Sequence, residues 1–179
     1  MQADDVLHFY RQCNAAGITI WVDGGWAVDA LLGSQTREHA DLDIAVQQLD
    51  LDRLRLMLEE SGYRDVPRDD TRPWNFVLGD DSGRLVDIHV VVLDKSGNGI
   101  YGPPENSEMY PAGSLDGIGS ISGQPVRCIA PGHLVAFHAG YPLRPQDIHD
   151  VSALCKRFGI ALPEEYRAAI AARQADPSP

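Results

Sequence analysis

The stretch from Trp21 to Ala45, WVDGGWAVDALLGSQTREHADLDIA, decides the reading of the chain. It is entered from Ile18 to Val22, a β-branched and aromatic run that predicts a strand, and Gly24-Gly25 follows at once. Trp26 to Leu32 then reads as a short helix stopped by Gly33. Asp41 to Val46 alternates, which predicts a second strand with Asp41 and Asp43 on one face and Leu42 and Ile44 on the buried face. Two carboxylates on one face stand about 7 Å apart, at roughly 3.3 Å of rise per residue. Like charges so placed need cations or hydrogen-bond donors, and hard oxygen ligands suit Mg²⁺. Glycines between a strand and a helix let the backbone approach a triphosphate and present N–H groups to it. Taken singly, a D-x-D on an exposed strand and a Gly-Gly turn are both commonplace; their order along one chain is what carries meaning.

Downstream, Leu51 to Leu58 has helical spacing before Gly62, and Trp74 to Leu78, a turn at Gly79 to Gly83, and Leu85 to Leu93 predict an antiparallel hairpin. In its second arm Leu85, Asp87, His89 and Val91 share a face, and Asp87 is the lone acid. Should this arm lie beside the Asp41 strand, three carboxylates converge and can hold two metal ions about 3.5–4 Å apart. The bland alternative is that Asp87 pairs with an arginine such as Arg84. From Lys95 to Gly123 the chain is rich in Gly, Pro and Ser, which predicts a long surface loop. A short strand at Val126 to Ile129 follows, then helices at Leu134 to Ala139, Asp147 to Phe158 and Pro163 to Arg173. Upstream, Asp4 and Asp5 cap a helix carrying Val6, Phe9, Tyr10 and Cys13, ended by Gly17. The fold class is therefore α+β. A mixed sheet flanked by helices occupies residues 1–129, and a small helical lobe occupies 130–179.

With 15 Lys and Arg against 26 Asp and Glu in 179 residues, the net charge is −11. Such a surface repels nucleic acid and attracts cations, which argues against a polymerase or a tRNA-modifying enzyme. Asp4 and Asp5 stand where a signal peptide carries basic residues, and no apolar stretch is long enough to span a bilayer. Three scattered cysteines favour neither a disulfide frame nor a zinc site. The expectation is a cytoplasmic protein with no nucleic-acid or membrane partner, and with homodimerisation left open.

The whole of Trp21 to Ala45, with VDIHVVV (Val86 to Val92), GQPVRCIAP (Gly123 to Pro131) and FHAGYPLRPQDIHDVSALCKRFGI (Phe137 to Ile160), resembles the DNA polymerase β-like nucleotidyltransferase superfamily. Within it, the chain looks most like the small antibiotic-modifying enzymes typified by lincosamide nucleotidyltransferases and aminoglycoside 2″-nucleotidyltransferase. The resemblance implies a nucleotidyltransferase fold, with Gly24, Gly25 and Trp26 as the phosphate-binding turn, Asp41 and Asp43 as the metal pair, and Asp87 as the third acid. The superfamily often has Gly-Ser in that turn; here Trp26 follows Gly25, so no serine hydroxyl is available there. Two Mg²⁺ ions and ATP or another NTP are the implied cofactor and co-substrate, and the implied partner is a small, cationic hydroxyl acceptor. Arg37 is expected either on the β- or γ-phosphate or on a solvated face. His39 and His89 are expected to orient metal-bound carboxylates by hydrogen bonds or to be structural. Tyr110, His138 and Tyr141 are expected along the acceptor pocket. Asp87 is left open between metal ligand and general base. The rival classes are an inactive or antitoxin-type module on the same fold and an enzyme that modifies proteins.

Overall fold

In the computed structural model, which describes residues 1–103, 105 and 108–175, the first helix, α1 (Ala3–Ala15), buries Val6, Phe9, Tyr10 and Cys13 as its spacing requires. Residues 104, 106 and 107 of the expected loop and 176–179 of the expected helical lobe lie outside the described residues. After α1 come β1 (Ile20–Val22), α2 (Gly24–Leu32), β2 (Asp41–Gln47) and α3 (Leu51–Glu60). Next are β3 (Arg64–Val66), β4 (Asn75–Gly79), β5 (Leu85–Leu93), β6 (Gly99–Tyr101), β7 (Met109–Tyr110), β8 (Gly117–Ile121) and β9 (Gln124–Cys128). The chain closes with α4 (Pro131–Phe137), α5 (Pro145–Phe158) and α6 (Glu164–Ala175).

The described strands form one mixed sheet in the order β3-β4-β5-β2-β1-β9-β8, with β6 on β5 and β7 on β6. Two pairings are parallel, β2 with β5 and β1 with β9. The β4–β5 hairpin has the expected antiparallel form, with Gly79 opposite Leu85 and Asn75 opposite His89. Helix α2 packs on β2, β8 and β9, α4 and α5 pack on α2, and α6 packs on α5. The core between these layers holds Trp26, Leu42, Ile44, Ile88, Leu134 and Tyr166, each no more than 1% exposed. All three cysteines are free and buried. Among the described residues no helix is long and apolar enough to cross a membrane.

The expected surface loop from Lys95 to Gly123 is a correction: it folds into β6, β7, a 3₁₀ turn at Ser114–Asp116 and β8. Its glycines serve close packing as well as turns. A Cβ at Gly119 would collide with the Ala30 backbone of α2, and one at Gly117 with the backbone of Cys128 and Ile129. Glycine in a strand marks close backbone approach, and that composition imitates a loop. The three-residue, exposed strand β3 was also not expected from its charged sequence. The helix expected at Trp26 starts at Gly24, with Asp23 as its N-cap, so both glycines belong to its first turn.

Candidate active site

Strand pairing builds the acidic wall of a cleft of about 890 Å³. The parallel register of β2 and β5 sets Asp43 directly opposite Asp87. The antiparallel register of β1 and β2 brings Val22 opposite Ile44, and the Asp23 backbone N–H donates to the Asp43 carbonyl at 2.8 Å. Asp23, only 6% exposed, thereby joins the same wall. Its Oδ1 accepts the Gly24 N–H at 2.7 Å, which is the N-cap contact of α2. Gly24 has φ +54°, and a Cβ there would overlap the Asp43 carboxylate. A Cβ at Gly25 would overlap the Arg37 guanidinium and the His39 ring. The glycines are thus required by the crowding of charged groups onto the first turn of α2.

That crowding sets the electrostatics. Burial, reinforced by the Asp41 charge and by Asp23 and Asp87, pushes the Asp43 carboxyl up to about 7 against the pull of His89. Burial raises Asp87 as well. One buried oxygen of Asp87, Oδ1, has no hydrogen-bond partner, and Arg84, the expected bland partner, binds Asp80 and Asp5 instead. Ligand atoms of Asp43, Asp87 and His89 lie within 4.8 Å of one another. An orphaned carboxylate oxygen beside a second carboxylate that resists ionisation is a donor set that a divalent cation would satisfy. Asp41 lines the same cleft but stands outside that closest group. His89 is held at about 9: burial works against its charge, but the hydrogen bond and charge of Asp23 and the charges of Asp87 and Asp43 prevail.

The residues flanking the D-x-D have other partners than expected. Nε2 of His39 pairs at 2.5 Å with Oδ2 of Asp29, a buried α2 carboxylate also held by the backbone and hydroxyl of Thr36. The imidazole lies 4.6 Å from the Trp26 ring and lines the cleft beside Gly25. Trp26 itself is 1% exposed and belongs to the core, not to the cleft lining. Arg37 reaches the cleft, but its Nε and Nη2 fork onto Asp150 of α5 at 2.8–3.2 Å, and Nη1 donates to the Glu38 carbonyl. Arg68, absent from the sequence reading, is a further guanidinium on the lining.

A second wall comes from α4, α5 and the segment between them: Phe137, His138, Tyr141, Arg144 and Asp147 line it, with Tyr110 packed against Phe137. Tyr110 stacks edge-on with Phe137 and Tyr101, at 5.2 and 5.9 Å between ring centroids. His138 is fixed by Nδ1 on the Leu134 carbonyl, and its own carbonyl accepts from the Tyr166 hydroxyl. Asp147 is gripped by the Nε and Nη2 of Arg144, which hold its carboxyl below the usual range despite burial. Asp23, Tyr101, Glu108 and Arg144 line the cleft without having been singled out in the sequence. For Asp23 a signal existed: an acid directly before a helix-opening glycine is an N-cap.

Known proteins share this sequence pattern and fold. A lincosamide resistance protein from Staphylococcus haemolyticus is 29% identical over 137 residues, 76% of this chain and 84% of that one. A 2″-aminoglycoside nucleotidyltransferase from Klebsiella pneumoniae is 29% identical over 167 residues, 88% of each chain. The crystal structure of the lincosamide antibiotic adenylyltransferase LnuA, lincomycin-bound, superposes with a TM-score of 0.76 at 26% identity, covering 90% of this chain and 99% of that one. The fold is thus that of the nucleotidyltransferases. The family model for aminoglycoside-2″-adenylyltransferase matches residues 5–154, so the chain belongs to that family of antibiotic nucleotidyltransferases.

Proposed function

We propose that this protein moves a nucleoside monophosphate, AMP in the favoured reading, from an NTP to a hydroxyl of a small-molecule antibiotic, with a lincosamide ranked ahead of an aminoglycoside. The observation that carries the reading is the Asp43–Asp87 pair, set side by side by the parallel β2–β5 register with Asp43 pressed against Gly24. The nucleotidyltransferase relatives support it. In this reading residues 1–129 bind the nucleotide and the helical lobe, 130–179, closes over the acceptor.

The N–H groups of the first turn of α2, with Arg68 and any free N–H of Arg37, hold the polyphosphate. Asp41, Asp43 and Asp87 would hold Mg²⁺, two ions in the full proposal, which when bound neutralises the triphosphate and eases ionisation of the attacking hydroxyl. The acceptor oxygen forms its bond to the α-phosphorus in line with the bond to the β-phosphate, which breaks and releases pyrophosphate. The hydroxyl proton passes to Asp87, the acid with a free buried oxygen. Positioning carries most of the acceleration.

Tyr110, Phe137, His138 and Tyr141 offer the acceptor an aromatic, mostly neutral wall, and the acids of α5 are already paired with arginines. That suits a molecule with one amine and an apolar body. The test is incubation with Mg²⁺ and ATP plus lincomycin, clindamycin or a 2-deoxystreptamine aminoglycoside, read by mass spectrometry for a gain of one nucleoside monophosphate. Product from the aminoglycoside alone reverses the ranking. No product from any hydroxylated amine, with any NTP, overturns the activity.

A further inference from the structure

Tyr110 was expected to contact the acceptor, but its hydroxyl is engaged elsewhere. It donates to Oδ2 of Asp23 at 2.8 Å, and Nδ1 of His89 lies 2.7 Å from the tyrosine oxygen and 3.5 Å from Oδ2 of Asp23. A phenol has one proton and titrates near 10, a carboxylate near 4, so at neutral pH the phenol proton points at Asp23. The phenol oxygen is then an acceptor, and Nδ1 of His89 must carry the hydrogen. Nε2, the far side of the ring, faces Oδ1 of Asp87 at 3.7 Å, the buried oxygen that lacks a hydrogen-bond partner. At its other end Asp23 caps Gly24. One chain of contacts therefore runs from the glycine turn through Asp23, Tyr110 and His89 to Asp87. Tyr110 is 6% exposed and Asp23 also 6%, so water does not compete freely for these bonds. The tyrosine ring is separately fixed by Phe137 and Tyr101, so its place in the wall does not depend on the hydroxyl.

We infer that Asp23 and Tyr110 are positioning residues for the transfer: they fix the ring plane of His89 so that Nε2 is presented to Asp87. The inference rests on the proposed role of Asp87 at the reacting hydroxyl. Two outcomes of a role for Tyr110 are separable, because a contact to the acceptor acts on binding, whereas orientation of the group beside Asp87 acts on turnover.

The experiment is Tyr110→Phe, which keeps the ring and removes the hydroxyl. Hydrogen-bond partners of this kind commonly contribute ten- to a hundredfold in activity, and kcat should fall by about tenfold or more, with KM for the acceptor and for the NTP within about twofold of the parent. In the metal-free protein, a slowly exchanging imidazole N–H resonance, assigned by its loss in His89→Gln, should be present in the parent and lost in Tyr110→Phe. A raised acceptor KM with kcat unchanged, or an N–H resonance unaltered by Tyr110→Phe, overturns the inference. The parent reading is tested separately by Asp87→Asn: if that variant keeps full turnover, the role of Asp87 falls, whereas an inert Asp87→Asn beside a fully active Tyr110→Phe sinks the positioning role alone.

Discussion

The two walls of the cleft are both rich in aspartate, yet they treat it oppositely. On the sheet wall Asp43 and Asp87 stand side by side near Asp41, neither in an arginine ion pair among the described residues, and both carboxyls are pushed up by burial and like charge against the pull of His89 and, at Asp87, of Arg68. On the helical wall Asp147 and Asp150 are more deeply buried, about 1% exposed, yet each is forked by an arginine, Arg144 and Arg37. Burial alone therefore does not mark a reactive acid. What marks it is burial with too little protein counter-charge, His89 alone standing beside acids that still titrate high, because such a site is completed by a cation from solution.

The harshest test of that contrast is to neutralise an acid on the sheet wall and to remove an arginine from the helical wall. Asp43→Asn or Asp87→Asn should lower kcat by on the order of a thousandfold or more, since several kcal/mol of charge stabilisation is removed. Metal-free thermal stability should hold or rise, because like-charge repulsion is relieved. Near-normal turnover, or full activity in EDTA, would end the cation-dependent reading of the sheet wall. On the helical wall the ranking reverses. Arg37→Ala strands the buried Asp150 carboxylate, and calorimetry or denaturant unfolding should show a loss of about 3 kcal/mol, the low end for breaking a buried pair because Arg37 is itself 27% exposed.

This contrast also explains what was readable in the chain. Asp41, Asp43 and Asp87 were legible because strand alternation assigns faces locally, and the structure keeps that alternation, with Leu42, Ile44, Val86 and Ile88 buried. The partner of Arg37 was not legible, for Asp150 lies 113 residues away, and no local period couples a loop to a distant helix. His39 was tied to the metal pair by its alternation with Asp41, but the ring instead meets Asp29, one helix turn beyond Gly25. Asp23 was overlooked as the spacer between a strand and two glycines. The stretch containing β6 to β8 was misread because glycines used for close packing look the same in sequence as glycines used for turns.

The raised Asp43 carboxyl sharpens the comparison through pH. Its folded value, about 7, exceeds the usual 3.8, so between those values the folded state binds the extra proton and stability falls as pH rises. The Asp147 carboxyl, held low by Arg144, has the opposite sign. A metal-free melting series from pH 4 to pH 8 on the parent and Asp43→Asn should therefore diverge, the parent losing stability relative to the variant up to about pH 7 and running parallel above it. Mg²⁺ should bind the parent more weakly below about pH 7, where it must displace that proton. Parallel melting curves across the whole range would show that Asp43 ionises normally.

The smallest expected effect comes from turning a paired acid of the helical wall into an unpaired one. Arg144 is 60% exposed while its partner Asp147 is 1% exposed, and the Asp147 carboxylate also accepts the Arg144 backbone N–H at 2.7 Å. Arg144→Ala therefore keeps the backbone cap of α5 and removes only the guanidinium. An ion pair with one member in solvent contributes about 0–1 kcal/mol, so the melting temperature should move by no more than a few degrees. The cleft, however, loses a cation and uncovers an acid on the side assigned to the acceptor. A multiply protonated aminoglycoside should then bind several-fold more tightly, a singly protonated lincosamide should gain less, and both gains should shrink as ionic strength rises past the point where the Debye length is about 10 Å. Steady-state KM values for both acceptors at low and high salt give the answer. If Arg144→Ala instead weakens the aminoglycoside, the guanidinium contacts the acceptor itself, and the helical wall is more than a neutralised surface.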